Sequence, residues 1–288
     1  MNRTAPAFPD DLLERWGVRN AELVADTRSS GVYRVRLADG SYAIAKLLKP
    51  SGLHEMPGMD FLAWRAGLGA AKLLDRHDTA CLLEDAGTLT LRQYRQSQGE
   101  AAANAVIADL VKNLHAPSPE KPPAGLVPLE RHFRSLFEGA ARTEVSELSS
   151  VLRRCEKIAE ALLQAQTDIR PLHGDLHHDN IVGDTGRGWL AIDPQGLWGD
   201  PAYDVANIFG NPDGAFAEII EPARIMTLAR LFSEILGCSK EKILRYAAAH
   251  AGLSVCWSME NGDTLSRGGN AFERFTFAKV VMPLVGEA

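Results

Sequence analysis

Hydrophobic and polar positions change their period along the chain. In GVYRVRLADGSYAIAKLL, from Gly31 to Leu48, they alternate with period two around Asp39-Gly40, a dipeptide suited to a tight hairpin turn. In the second strand Tyr42, Ile44 and Lys46 share one face. EMPGMDFLAWRAGLGAAKLL then brings Met59, Leu62 and Trp64 near helical spacing, with Pro57 in the first turn and Gly67 and Gly69 as a stop. ACLLEDAG, Ala80 to Gly87, predicts a short buried strand running into a turn.

From about residue 90 the period becomes helical. Val106, Ile107, Leu110, Val111 and Leu114 form one apolar stripe. Phe133, Leu136 and Phe137 begin a second, and Leu152, Cys155, Ile158, Leu162 and Leu163 a third. APSPEKPPAGLVP between the first two is a loop, because helices resume at once. NIVGDTGRGWLAID predicts two short strands joined by a Gly-rich turn, with helices throughout the remainder. The pattern is that of an α+β protein, a small β-rich lobe followed by a larger helical one.

Composition narrows the partners. With 288 residues, 45% of them hydrophobic and 24% charged, the chain can bury a substantial core. A net charge of −6 gives no support for nucleic-acid binding, which needs a basic face. No segment approaches the roughly 18 apolar residues that span a bilayer, and the opening MNRTAPAFPDDLLERWG lacks the apolar stretch of a signal peptide. Cys81, Cys155, Cys238 and Cys256 form no C-x-x-C pair, which fits reduced thiols in a cytoplasmic protein.

The chemistry concentrates in LHGDLHHDNIV, Leu172 to Val182, followed by WLAIDPQG. His173, Asp175 and Asn180 match the H-x-D-x-x-x-x-N skeleton of a kinase catalytic loop. Phosphoryl transfer needs a carboxylate to orient a hydroxyl and oxygen ligands to hold magnesium against ATP phosphates. Asp175 suits the first task; Asn180 and Asp193 suit the second. Pro194 biases Asp193 away from helical backbone, so its carboxylate would project from a strand end. An upstream strand lysine, Lys46, completes the set, although an edge lysine that blocks aggregation is the plainer account of it.

A rival reading makes His173, Asp175, His177, His178 and Asp179 a zinc or manganese site, but the further ligand clusters of a two-metal hydrolase are missing. On the plainer account His177 and His178 are partly exposed loop residues and His173 a packed anchor. Neither G-x-x-x-x-G-K-[ST] nor G-x-G-x-x-G occurs. A phosphate loop would have to be TRSSGVY, with Ser29, Ser30 and Gly31 offering backbone N–H groups and hydroxyls; a simple strand-entry turn is the alternative.

LHGDLHHDNIV, WLAIDPQGLWGDPAYDVANIFGNP and FLAWRAGLGAAKLL together resemble the aminoglycoside/hydroxyurea antibiotic resistance kinases, a group that includes streptomycin 6-phosphotransferases. The likeness runs from about Tyr33 to about Trp257. It implies a bilobal protein-kinase-like fold, residues 1–87 forming a nucleotide-binding lobe that ends in a hinge and 88–288 the catalytic and substrate lobe. It further implies ATP and Mg²⁺ as cofactors, Asp175 as catalytic aspartate, and Asn180 and Asp193 as magnesium ligands. Lys46 would hold the α- and β-phosphates, paired with Glu55 or else Asp60. The backbone of Glu84 and Ala86 would meet adenine, Ile44 would line its pocket, and Asp204 would brace the catalytic loop. DPQG in place of D-F-G, and the absent glycine loop, speak against protein substrates.

The acceptor is then a small molecule with a hydroxyl, most simply a cationic aminoglycoside of the streptomycin class. Its guanidinium groups would want carboxylates, for which Asp200, Glu260 and Asp263 are candidates, with Trp257 as a cation–π platform. A kinase acting on a sugar, an amine or a hydroxamate such as hydroxyurea is the alternative, and a nucleotide-binding pseudokinase a third. The joint presence of Lys46, Asp175, Asn180 and Asp193 argues against the last.

Overall fold

The computed structural model describes residues 7–143, 147–184 and 186–286. The first six residues, and Thr185 in the Gly-rich turn, lie outside the described residues.

The N-terminal part is an antiparallel five-stranded sheet. Helix α1 (Asp10–Trp16) precedes β1 (Val18–Asp26), β2 (Ser30–Leu37) and β3 (Tyr42–Leu48). A 3₁₀ turn (Pro50–Glu55), α2 (Met56–Arg65), β4 (Leu73–His77) and β5 (Ala80–Glu84) follow, in the sheet order β1-β2-β3-β5-β4. The β2–β3 hairpin turns at Asp39-Gly40, where Gly40 takes φ +88° and Asp39 Oδ1 accepts from Ser41 N at 2.9 Å. Leu12 and Trp16 of α1 pack on Tyr33, Val35, Ala43 and Ala45, closing one face of the sheet. The sequence pattern gives no warning of β1 and β4. Both are edge strands with many exposed or half-exposed positions, so neither shows a clean apolar alternation.

The sheet runs through β5 into the loop that contains residue 87, and the C-terminal part follows. Its elements are β6 (Leu89–Thr90), α3 (Leu91–Gln98), α4 (Glu100–Leu114), β7 (Val127–Pro128), α5 (Leu129–His132), α6 (Arg134–Arg142), α7 (Glu147–Gln164) and β8 (Arg170–Leu172). Then come β9 (Ile181–Asp184), β10 (Gly188–Ala191), β11 (Leu197–Gly199), α8 (Phe216–Ile219), α9 (Pro222–Leu236), α10 (Lys240–Glu260) and α11 (Asn270–Val281). Thr90 and Gln93 form a capping box that starts α3. The stripes of α4 and α7 face one shared core with α10 and α11.

One expectation needs correction here. The chain does not pass into helix directly after Gly196: β11 and two 3₁₀ turns (Pro201–Tyr203 and Ala206–Gly210) intervene. Segments of three to five residues are too short to display a period. Cys81, Cys155 and Cys256 are buried free thiols, and burial pushes Cys155 up to about 12. Among the described residues no helix is long and apolar enough to cross a membrane.

Candidate active site

Two glycines bring the two parts of the chain together. A Cβ on Gly58, in the first turn of α2, would lie 1.8 Å from Pro194 O. A Cβ on Gly196, at φ +71°, would lie 2.1 Å from Pro57 O. Only glycine permits backbone to meet backbone this closely. The start of α2 therefore rests on the Asp193–Gly196 loop, and Glu55, immediately before α2, is carried toward Asp193.

Lys46 on β3 stands between them. Its Nζ lies 2.6 Å from Glu55 Oε2 and also binds Asp193 Oδ1. Burial alone would lower the lysine pKa, but the two carboxylates outweigh it and raise it. The partner acid comes from the 3₁₀ turn rather than from within the helix; Asp60 is engaged elsewhere, with Arg76 at 2.7 Å. Asp193 departs from the extended geometry expected of it. Its φ is +59°, a left-handed conformation that aspartate tolerates better than most residues. The following proline excludes right-handed helix, and the loop selects the left-handed basin instead.

The segment 173–180 hangs from β8. Asp204, buried behind it, accepts from His173 N at 3.1 Å and Gly174 N at 2.6 Å, with His115 Nε2 3.2 Å away. Burial works to raise the Asp204 pKa, but His115, His173 and the amide donors prevail and lower it. His173 is fully buried and bonds Ile192 O through Nε2 at 2.9 Å, while its Nδ1 accepts from Asp175 N. Asn180 Nδ2 donates to both Asp175 O (3.0 Å) and Asp175 Oδ2 (3.2 Å), which leaves Asn180 Oδ1 as an acceptor. Burial, and then the neighbouring Asp193 charge, push Asp175 up to about 7 against the two amides that bond it. Asp193 and the free Oδ1 of Asn180 are hard oxygen donors of the kind a divalent cation takes.

His177 is the partly exposed loop residue expected, but His178 is not. His178 is 1% exposed beside Arg92, Arg95 and Arg224, and His177 is half-buried. Burial lowers His177 to about 4 and His178 to about 3. Among the described residues no group of three or more His, Cys, Asp or Glu side chains is placed to hold a metal ion, so the histidine-rich metal reading has no support.

Two clefts flank this centre. The first, about 230 Å³, lies between the sheet and β9–β10. Val32, Ile44, Leu83 and Val182 wall it, Glu84 to Gly87 edge it, and Lys46 and Asp193 close its end. Glu84 N–H is engaged by Lys72 O, whereas Ala86 N–H has no partner within the protein among the described residues. Ser29 and Ser30 do not line this cleft, and their N–H groups are turned onto Thr27 Oγ1 at 3.3 and 3.0 Å. Those donors close a local turn rather than a phosphate nest.

The second cleft, about 430 Å³, lies across the Asp193–Gly196 loop and is lined by His54, Arg131, His132, Ser135, Gln195 and Trp257, among others. Burial lowers His132 to about 4, and its Nε2 contacts Tyr203 Oη at 2.6 Å. Of the four acceptor residues expected from sequence, Trp257 lines this cleft, and Glu260 reaches it through Ser135 Oγ at 3.2 Å. Asp200 does not: it is 1% exposed, paired with Lys242, and accepts from Thr167 N and Ala202 N. Asp263 does not either, because it accepts from Thr264 N and Ala271 N at the start of α11. Sequence reasoning missed His132, Ser135 and Gln195, which belong to no motif. It also missed Asn207, whose Nδ2 lies 2.9 Å from Asp175 Oδ1; its spacing of three residues from Asp204 was the available signal.

Comparison with known proteins agrees with this geometry. The family model described as aminoglycoside/hydroxyurea antibiotic resistance kinase matches residues 15–262. A streptomycin 3''-kinase of Klebsiella pneumoniae is 36% identical over 257 residues, 87% of this chain and 92% of the relative. A streptomycin 6-kinase of Streptomyces glaucescens is 28% identical over 276 residues, 89% and 84% of the two chains. The crystal structure of aminoglycoside phosphotransferase APH(4)-Ia superposes with a TM-score of 0.67 at 14% identity, covering 96% of this chain and 98% of the other. Its fold, shared also with a choline kinase, is protein-kinase-like. The chain belongs to the aminoglycoside/hydroxyurea antibiotic resistance kinase family and is a small-molecule phosphotransferase.

Proposed function

We propose that the protein transfers the γ-phosphoryl group of ATP to a hydroxyl of an aminoglycoside of the streptomycin class, in the cytoplasm. The observation that carries this is the pairing of Lys46 and Asp193 at the closed end of one cleft, with Glu55 on the lysine, and with Asp175 on a loop bonded through His173 O to Gln195, which lines the other. The 36% identity to a streptomycin 3''-kinase supports the acceptor class. That the APH(4)-Ia neighbour was solved with ADP and hygromycin B supports the nucleotide.

In this reading adenine lies against Ile44 and Val32, with Ala86 N–H as its backbone donor. Lys46, held by Glu55, leaves Asp193 for the α- and β-phosphates. Asp193 and Asn180 Oδ1 would hold Mg²⁺, which when bound would neutralise phosphate charge. Asp175, pushed up to about 7 by burial and by Asp193, accepts the acceptor proton as the hydroxyl attacks. Asp204 and His173 hold the loop that presents it. Trp257 offers a face to a guanidinium group, and Glu260 a carboxylate next to Ser135.

One observation favours a second reading, a metabolite kinase for a less basic acceptor such as a sugar or hydroxamate. The second cleft carries Arg131 and Arg134 and, among the described residues, no acid in its lining. Radiolabelled phosphate transfer from Mg-ATP to streptomycin, other aminoglycosides, hydroxyurea and neutral sugars separates the two. Transfer to streptomycin is expected; turnover confined to neutral acceptors replaces the first reading with the second.

A further inference from the structure

Among the described residues, Asp175 takes side-chain hydrogen bonds from two amides, one at each oxygen. Asn180, in its own loop, donates to Oδ2 at 3.2 Å, and Asn207, in the 3₁₀ turn Ala206–Gly210, donates to Oδ1 at 2.9 Å. Which end of an amide faces a partner is decided by what the other end is doing. Asn211 Nδ2 donates to Asn207 Oδ1 at 3.0 Å and to Asn207 O at 2.8 Å, so the Asn207 oxygen is engaged and its NH₂ must turn to Asp175. Asn211 is itself buried, with its carbonyl held by Arg224 Nη2 at 2.7 Å. The chain of donors therefore runs one way, from Asn211 through Asn207 into the carboxylate.

We propose that Asn207, oriented by Asn211, is a positioning residue for phosphoryl transfer: it locks the plane of the Asp175 carboxylate so that a free lone pair meets the acceptor hydroxyl. This rests on the reading of Asp175 as the group that receives the acceptor proton. The two amides approach from different elements, the catalytic loop and the turn after Asp204, so the carboxylate is clamped rather than tethered at one point. Losing one clamp lets it rotate away while both clefts keep their linings, since neither Asn207 nor Asn211 lines them.

The test compares wild type, Asn207→Ala and Asn211→Ala by rapid-quench single turnover, by the KM values for ATP and acceptor, and by crystal structures of the wild type and Asn207→Ala. Asn207→Ala is expected to slow single-turnover transfer by roughly 10²-fold, as misplacement of a reacting group by about 1 Å does, with both KM values within about twofold. Asn211→Ala, which frees the Asn207 amide to flip, should cost roughly tenfold. The Asp175 carboxylate is expected in one orientation in the wild type and rotated in Asn207→Ala. A carboxylate that keeps its orientation overturns the proposal, as does a rate that falls only together with both KM values and the melting temperature. Wild-type protein that transfers phosphate to no acceptor defeats the functional reading instead, and the crystal comparison then decides the role of Asn207.

Discussion

The two clefts beside Asp175 are built by different rules. The first cleft is narrow, largely apolar along its walls, and closed by Lys46 and Asp193, which pair with each other while Glu55 holds the lysine as well. The second cleft is larger, and residues from five separate stretches of chain line it, with its basic and polar side chains not joined in a network among the described residues. Every kinase of this chemistry handles the same triphosphate, so the first cleft demands fixed residue types. Acceptors differ, so the second needs only a shape, a few polar atoms and one aromatic face. The lesson is that chemistry can be read from charged side chains at the closed end of a cleft, whereas acceptor identity has to be measured.

Breaking the centre that both clefts share should have the largest effect. Asp175→Ala is expected to lower turnover about 10³-fold or more while the ATP dissociation constant by calorimetry stays within a few fold. Turnover near the wild-type value in that variant removes Asp175 from the mechanism.

A change confined to the first cleft comes next. Lys46→Ala takes away the cation between Glu55 and Asp193. Steady-state assays should show roughly a 10²-fold loss of turnover together with a raised KM for ATP, and no change in acceptor KM. Equal disturbance of both KM values would mean that the clefts are not separable.

Trp257→Ala acts on the second cleft alone and more gently. Loss of one aromatic platform is worth about 1–2 kcal/mol, so the acceptor KM should rise roughly tenfold with the ATP KM unchanged. An unaltered acceptor KM places the acceptor elsewhere.

The smallest effect on turnover belongs to the loop that serves both clefts, where the readout is stability. Burial holds His178 at about 3, far below the unfolded value of 6.5. The unfolded chain therefore binds this proton first as pH falls. The contribution is fully present above pH 6.5 and is lost progressively toward pH 3, about 2 kcal/mol of it by pH 5. Urea titrations at pH 7, 6 and 5 should show that loss in the wild type and a shallower one in His178→Phe; identical slopes would show that the imidazole is not held neutral.

Asp175 and Asn180 lie five residues apart in one loop, and their hydrogen bond closes within it, so the motif alone pointed to their meeting. The β2–β3 hairpin was legible for a similar reason, since a short turn closed by a left-handed Gly40 sets its register. The edge strands were not, because a strand with a solvent face and one neighbour carries little period-two signal. His178 was misjudged because nothing in a run of polar residues says that this side chain will be buried, with Arg92, Arg95 and Arg224 acting on it electrostatically.

The sequence by itself thus pointed to the phosphotransferase class that the family match bears out, and to the local contact of Asp175 with Asn180, for which residue type and short spacing suffice. The tertiary structure decided the rest. It selected Glu55 over Asp60 for Lys46, withdrew Asp200 and Asp263 from the acceptor cleft, and placed Asn207 against Asp175. Each of these depends on contacts between residues far apart in the chain, whose approach is set by helix packing and by backbone contacts such as Gly58 against Pro194. A carboxylate satisfied by a local amide or a buried lysine looks, in sequence, the same as one left free to meet a ligand.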